Sequence, residues 1–189
     1  MSLPPFPRYE STVVAQFFGH THFDHLEIFY DTETFQRALS VAYIAPSVTT
    51  YDHLNPGYRV FTVEGPHPNS SWAILDHETY IMNLTEANLS DNPQWTKEYS
   101  AKETYGLSSL APADWDNLVQ RMVSNDTILQ TFFRLYWKSH SPTTTCGHHC
   151  KKQYLCEIVT GRSHDPHMCR QFDLSITEAM LYRKAKTFC

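Results

Sequence analysis

The 189-residue sequence predicts an α+β fold that is rich in strands to about residue 83 and helical after it. Up to that point, short apolar or alternating runs are punctuated by Gly, Pro and Asn, as strands and turns require. Beyond it, apolar residues recur at i, i+3, i+4 and i+7, the period of a helix with one buried face. All five cysteines fall at or after position 146, so the end of the chain differs in kind from its start. This gives two expected units, residues 1–83 and 84–189.

The elements follow in order. Residues 1–10 carry three prolines and read as an irregular lead-in. Thr12–Phe18 (TVVAQFF) is nearly continuous in apolar character and predicts a strand buried on both faces. Glu27–Tyr30 and Ser40–Ala45 are further strands, the second stopped by Pro46. Asn55-Pro56-Gly57 is a strong turn signal, and Tyr58–Val63 then alternates like a half-buried strand. Trp72–Leu75 and Tyr80–Asn83 complete the strand-rich part. Trp95 and Tyr99, four apart, predict a helix over Asn92–Tyr105 that ends at Gly106. Pro112 suits a first helical position, with Asp114 and Asp116 at the positive end of the dipole. Trp115, Leu118, Val119 and Met122 mark that helix's buried face. A second helix from about Asp126 carries Ile128, Leu129, Phe132, Phe133, Tyr136 and Trp137, whose helical spacing assigns them to a core.

Composition excludes several function classes. Hydrophobic residues make up 41% of the chain and charged residues 19%, with a mean hydropathy of −0.43. No apolar run approaches the roughly 20 residues a membrane span needs, so no transmembrane segment is expected. The formal charge of −5 argues against a general nucleic-acid binder, which would show a basic field. That charge is uneven: residues 1–141 hold 8 basic and 16 acidic side chains, residues 142–189 hold 7 and 4. Eleven histidines would reverse the sign of the charge if all were protonated, as happens for a protein working near pH 5.

Clustered cysteines and four acceptor sequons, at Asn69, Asn83, Asn88 and Asn125, point to glycosylation and the secretory pathway. The opening MSLPPFPRYES lacks the basic and apolar regions of a signal peptide. A preceding segment is therefore expected. Cys146-Gly-His-His-Cys150 admits two readings, a zinc-binding pair or disulfides in a secreted tail. Four cysteines allow three pairings, and one of the five would be left as a free or intermolecular thiol.

Phe17-Phe18-Gly19-His20-Thr21-His22-Phe23-Asp24-His25 is the sharpest chemical feature. It sits where a strand ends, and Gly19 allows a tight turn. In extended backbone His20 and His22 project to one side. Neutral imidazole is a good ligand for zinc, and an i, i+2 pair can offer one ligand to each of two metals. Tyr51 and Asn55 flank the Asn-Pro-Gly turn and are candidate substrate contacts, with Tyr51 suited to pack on a quaternary ammonium. His77 is expected to be structural, with Glu78 beside it as its partner. No phosphate-cradling glycine loop or serine-hydrolase elbow occurs.

The stretch QFFGHTHFDHLEIFYD resembles the last metal-binding motif of the acid sphingomyelinases, members of the calcineurin-like metallophosphoesterase superfamily. The resemblance continues through YIAPSVTTYDHLNPGYRVF, LDHETYIMNLTEAN and ETYGL to the cysteine cluster and the final Phe188-Cys189. It covers nearly everything from Tyr9 onward. GHTH and NLTEAN are shared with the acid-sphingomyelinase-like phosphodiesterases, whereas LDHETY, ETYGL and the terminal Phe-Cys favour the acid sphingomyelinases. Leu26 departs from the Phe usual there, one apolar residue for another.

The resemblance implies the closing strands of a metallophosphoesterase β-sandwich followed by a mostly helical domain with disulfides. It implies a two-zinc phosphodiesterase, lysosomal or extracellular, that splits sphingomyelin at a membrane lipid surface into ceramide and phosphocholine. His20 and His22 would each bind one zinc, and the cysteines would pair as Cys146–Cys150 and Cys156–Cys169, leaving Cys189 as the free or intermolecular thiol. The family's other metal-binding motifs and its general acid lie upstream of the GHTH stretch and are not in these residues. The expectation is a C-terminal portion that is inactive alone. The alternatives are a non-catalytic product that binds lipid or a partner, or part of a relative acting on nucleotides.

Overall fold

The protein is seen in a computed structural model, which describes residues 9–141, 143–161 and 167–172. Two three-stranded sheets carry its first half. In the first, β1 (Gln16–Phe18) runs parallel to β3 (Ala38–Ile44), and β2 (His25–Tyr30) lies antiparallel on β3's other side. The second is an antiparallel meander of β4 (Gly57–Val63), β5 (Ile74–Met82) and β6 (Trp95–Ser100).

Five helices complete the described chain: α1 (Leu84–Ser90), α2 (Ala101–Tyr105), α3 (Pro112–Ser124), α4 (Asp126–Tyr136) and α5 (His148–Val159). Short 3₁₀ turns span Tyr51–His53 and His167–Phe172. The α+β class is as the sequence predicts. None of these helices is long and apolar enough to cross a membrane.

The helical period is read well. Pro112 opens α3, and Trp115, Leu118, Val119 and Met122 are its buried residues. Asn125 caps α4 by accepting from the Thr127 N–H, and Leu129, Phe132, Phe133, Leu135 and Tyr136 are buried. Gly106 ends α2 in the left-handed conformation at φ 61°. A core of this kind is contributed by apolar stripes facing the sheets.

Two strand expectations and one helix expectation are corrected. The strand expected over Thr12–Phe18 is only three residues long and occupies a sheet edge. Phe17 and Phe18 are therefore exposed rather than buried on both faces. Trp72–Leu75 and Tyr80–Asn83 resolve into one nine-residue strand, β5. Asn92–Tyr105 is not one helix: Trp95–Ser100 is β6, and only Ala101–Tyr105 is helical. Trp95 and Tyr99 fit a helix by spacing, but Trp, Thr and Tyr also favour a pleated surface. Pairing with β5, which sets Tyr99 opposite Thr79, decides the outcome.

β6 lies past residue 83 and completes a sheet begun before it. Side chains from both sides of that position share one core: the Trp115 indole donates to the Tyr43 hydroxyl at 3.1 Å, which donates to the Leu110 carbonyl at 3.2 Å. The Tyr30 hydroxyl donates to Asp116 at 2.6 Å, tying β2 to α3.

Cys146–Cys150 and Cys156–Cys169 are disulfide-bonded, with Cα separations of 5.3 and 4.7 Å. With these thiols oxidised, the zinc-binding reading of Cys146 and Cys150 loses its thiolate ligands. Cys189 lies outside the described residues.

Candidate active site

The site is built on the loop that joins β1 to β2. Its backbone is not extended as expected: His20 and His22 both take left-handed conformations, with φ of 81° and 66°. Gly19 has no positive φ, so the turn falls on the histidines rather than on the glycine. Each such residue without a glycine costs of order 1–3 kcal/mol and is held only by its surroundings. His20 is exposed and His22 half-buried.

The surroundings are a buried polar network. Thr21 Oγ1 and His25 Nε2 share a 3.1 Å hydrogen bond, and the His25 ring lies 5.4 Å from that of Tyr136. The Asp24 N–H donates to the Tyr136 carbonyl at 3.1 Å, fixing the loop to the end of α4. The Asp24 carboxylate takes an ion pair from Arg59 and hydrogen bonds of 2.8 Å from each of the Thr79 and Tyr99 hydroxyls. Both charged side chains are almost fully enclosed, at 3% and 2% exposure.

Burial opposes the Arg59 charge, but Asp24 more than offsets it and raises the guanidinium's pKa. Burial and the Asp24 charge push the Tyr99 hydroxyl far up, so it stays a donor. One carboxylate thus joins the loop before β2 to all three strands of the second sheet. Sequence reasoning missed Arg59, Thr79 and Tyr99. The available signal was a cation on the inward side of the alternating strand YRVFTV.

A second anchor holds the loop that carries Tyr51. The Asn55 side chain is buried and fully engaged, donating to the Lys138 carbonyl and accepting from the Leu84 N–H, both at 3.0 Å. The Lys138 ammonium donates to the Ser47 carbonyl at 3.0 Å. Tyr51 itself is exposed and meets His22 edge to face, with ring centroids 5.6 Å apart. The structure therefore brings Tyr51 beside the histidine pair, while Asn55 holds the loop from below.

His77 is buried as expected, but Glu78 is not its partner. Alternation along β5 sends Glu78 to the other face, where it meets Lys97 at 3.0 Å and the Tyr80 hydroxyl at 2.9 Å. His77 stands among Tyr43, Phe61, Tyr99 and Trp115, and its Nδ1 has no hydrogen-bond partner among the described residues. Burial first, then the Arg59 charge, hold its pKa well below the usual value. A cavity of about 10 Å³, the size of one water, lies between His77, Asp24, Arg59 and Tyr99.

Among the described residues, no three potential metal ligands are gathered together. A catalytic zinc takes three protein ligands and an open position. The two imidazoles suit such a metal, but these residues alone do not complete a site. His148 and His149, at the start of α5, are exposed. All four sequon asparagines are exposed as well.

The family model for the acid sphingomyelin phosphodiesterase C-terminal region matches residues 37–171. The chain belongs to this family. It is 49% identical over 185 residues to human sphingomyelin phosphodiesterase, covering 96% of this chain and 29% of the human protein. Against bovine sphingomyelin phosphodiesterase it is 52% identical over 164 residues, covering 86% and 26%. A mouse cyclic GMP-AMP phosphodiesterase is 33% identical over 161 residues, covering 82% and 35%. The chain thus spans about a quarter to a third of the length of these relatives.

Proposed function

We propose that this chain supplies two metal ligands and a substrate-facing loop to a zinc-dependent phosphodiesterase that hydrolyses sphingomyelin to ceramide and phosphocholine. The observation that carries the reading is the pairing of His20 and His22 on one braced loop beside Tyr51. It is supported by close similarity, along nearly the whole chain, to human sphingomyelin phosphodiesterase.

His20 and His22 would act as neutral imidazole donors, one to each of two zincs. Metals held there would supply Lewis acidity and make water a better nucleophile near neutral pH. The chain's own contribution is to hold the two donors. Tyr51, exposed beside His22, offers a ring face to the choline ammonium. Asn55 keeps that loop in place. Sphingomyelin is favoured over a nucleotide because the similarity to the sphingomyelin phosphodiesterases is far higher than to the mouse cyclic GMP-AMP phosphodiesterase.

The setting that fits this reading is the lysosome or the extracellular space. Two disulfides persist in oxidising compartments, and Asn69, Asn83, Asn88 and Asn125 are accessible as glycan acceptors.

The test is a chimera in which this chain replaces the matching region of the human enzyme. It should hydrolyse sphingomyelin in a zinc-dependent way. His20→Ala and His22→Ala should each lower zinc content and turnover by orders of magnitude, and His148→Ala and His149→Ala should lower neither. The 189-residue chain alone should be inactive. A folded chimera that cleaves a cyclic dinucleotide but not sphingomyelin would establish the nucleotide reading instead.

A further inference from the structure

We propose that His25, acting through Thr21, is a positioning residue that sets the left-handed loop presenting His20 and His22. The proposal rests on the reading of that pair as metal donors.

The loop needs a brace, because two non-glycine residues at positive φ flank a single threonine. Such backbone persists only where neighbouring structure over-determines it. Little restrains the loop on its outer side: His20 is exposed, and the space where a Cβ on Gly19 would point is open. The inner side is different. Thr21 is half-buried, and its hydroxyl meets His25 Nε2 at 3.1 Å.

His25 is itself immobile. It is 4% exposed and is the first residue of β2, in register with Ile44 of β3. Its ring lies against Tyr136 of α4. Its neighbour Asp24 is pinned through the backbone to Tyr136 and through the carboxylate to Arg59, Thr79 and Tyr99. The hydrogen bond therefore runs from the rigid core to the one side chain between the two imidazoles. The contact itself shows that the Thr21 side chain turns toward the core, and holding its hydroxyl restrains the backbone between the two histidines. The residue that orients a ligand is commonly worth about 10-fold or more in metal affinity. Here one contact orients two.

The experiment uses the chimera with the human enzyme described above, isotopically labelled in the segment that this chain supplies, with zinc chloride as the probe. The readouts are the amide–α-proton couplings at residues 20 and 22, zinc affinity by NMR titration, and the thermal midpoint. Thr21→Val should change both couplings and weaken zinc about tenfold, with the thermal midpoint nearly unchanged. Thr21→Ser should restore both. His25→Asn should reproduce the Thr21→Val effect, and the double variant should be no worse than either alone. Thr21→Val is the decisive variant, since it leaves the core intact.

Unchanged couplings in Thr21→Val, or effects that add in the double variant, would overturn the proposal. The His20→Ala/His22→Ala variant separates the two claims. If it binds zinc as tightly as the parent, the donor reading fails, and the couplings alone then decide the positioning role.

Discussion

Asp24 and Arg59 show how one residue pair can decide whether a loop has a fixed shape. Each is a charge withdrawn from water, and the withdrawal is tolerable only while both are present and their remaining hydrogen-bond sites are filled. The Thr79 and Tyr99 hydroxyls fill those on Asp24. Arg59→Met should therefore leave Asp24 buried and uncompensated, costing about 3–5 kcal/mol. Thr79→Val, which removes one hydroxyl, should cost about 1 kcal/mol. Urea unfolding of the two variants checks the ratio; equal small losses would mean that the ion pair contributes little. Arg59→Lys should not rescue, because an ammonium cannot reproduce the guanidinium's contacts to Asp24, Thr79 and Tyr99 at once.

At the scale of elements, the ends of α4 and β2 matter more than their middles. Tyr136 and Lys138 at the helix end hold both loops of the candidate site, one through the Asp24 N–H and the other through Asn55 and Ser47. Gly57, where β4 begins, permits this. A Cβ there would lie 3.0 Å from the Lys138 side chain, 3.3 Å from Pro46 and 3.4 Å from Ile81. Lys138 is buried and its ammonium is bound to Ser47, so its stem cannot swing away. Gly57→Ala should cost about 1–3 kcal/mol by overpacking and should raise the exchange rate of the Ser47–Asn55 amides. A variant as stable as the parent would show that the stem gives way.

The helices were legible because Trp115, Leu118, Val119 and Met122 repeat a pattern that only a helix satisfies. The histidine motif was legible as chemistry. Its left-handed backbone was not, because Thr21–His25 and Asp24–Arg59 are tertiary contacts that no local spacing announces. β6 was misread for the same reason: Trp95 and Tyr99 suit either period, and the choice is made by β5. Phe17 and Phe18 were read as buried because apolar runs look alike at a sheet's edge and at its centre.

For the molecule as a whole, pH acts through two buried groups of opposite sign. Glu98, on β6, meets the end of α4 through a 2.5 Å hydrogen bond from Ser139, with Arg134 3.9 Å away. Burial pushes its pKa up to about 7, with the Asp24 charge adding to the rise, while the Ser139 hydrogen bond, Arg134 and Lys138 oppose it. The folded state therefore keeps a proton that the unfolded chain loses near its ordinary value of 4.5. The stability this gives is fully present below pH 4.5 and is lost as pH rises through 7.

His77 runs the other way. Its folded pKa lies well below the ordinary 6.5, so its contribution is present above 6.5 and is lost as pH falls. Between pH 4.5 and 6.5 the two slopes oppose each other, each worth at most a few kcal/mol across the window. Lys138, held down to about 8 by burial, titrates above it. The parent chain should thus vary little in stability from pH 5 to 6.5. Glu98→Gln should become less stable at pH 5 than at pH 7, because His77 alone then sets the slope. His77→Phe should do the reverse. Denaturant midpoints at the two pH values decide it, and parallel profiles for both variants would mean that neither group titrates differently on folding.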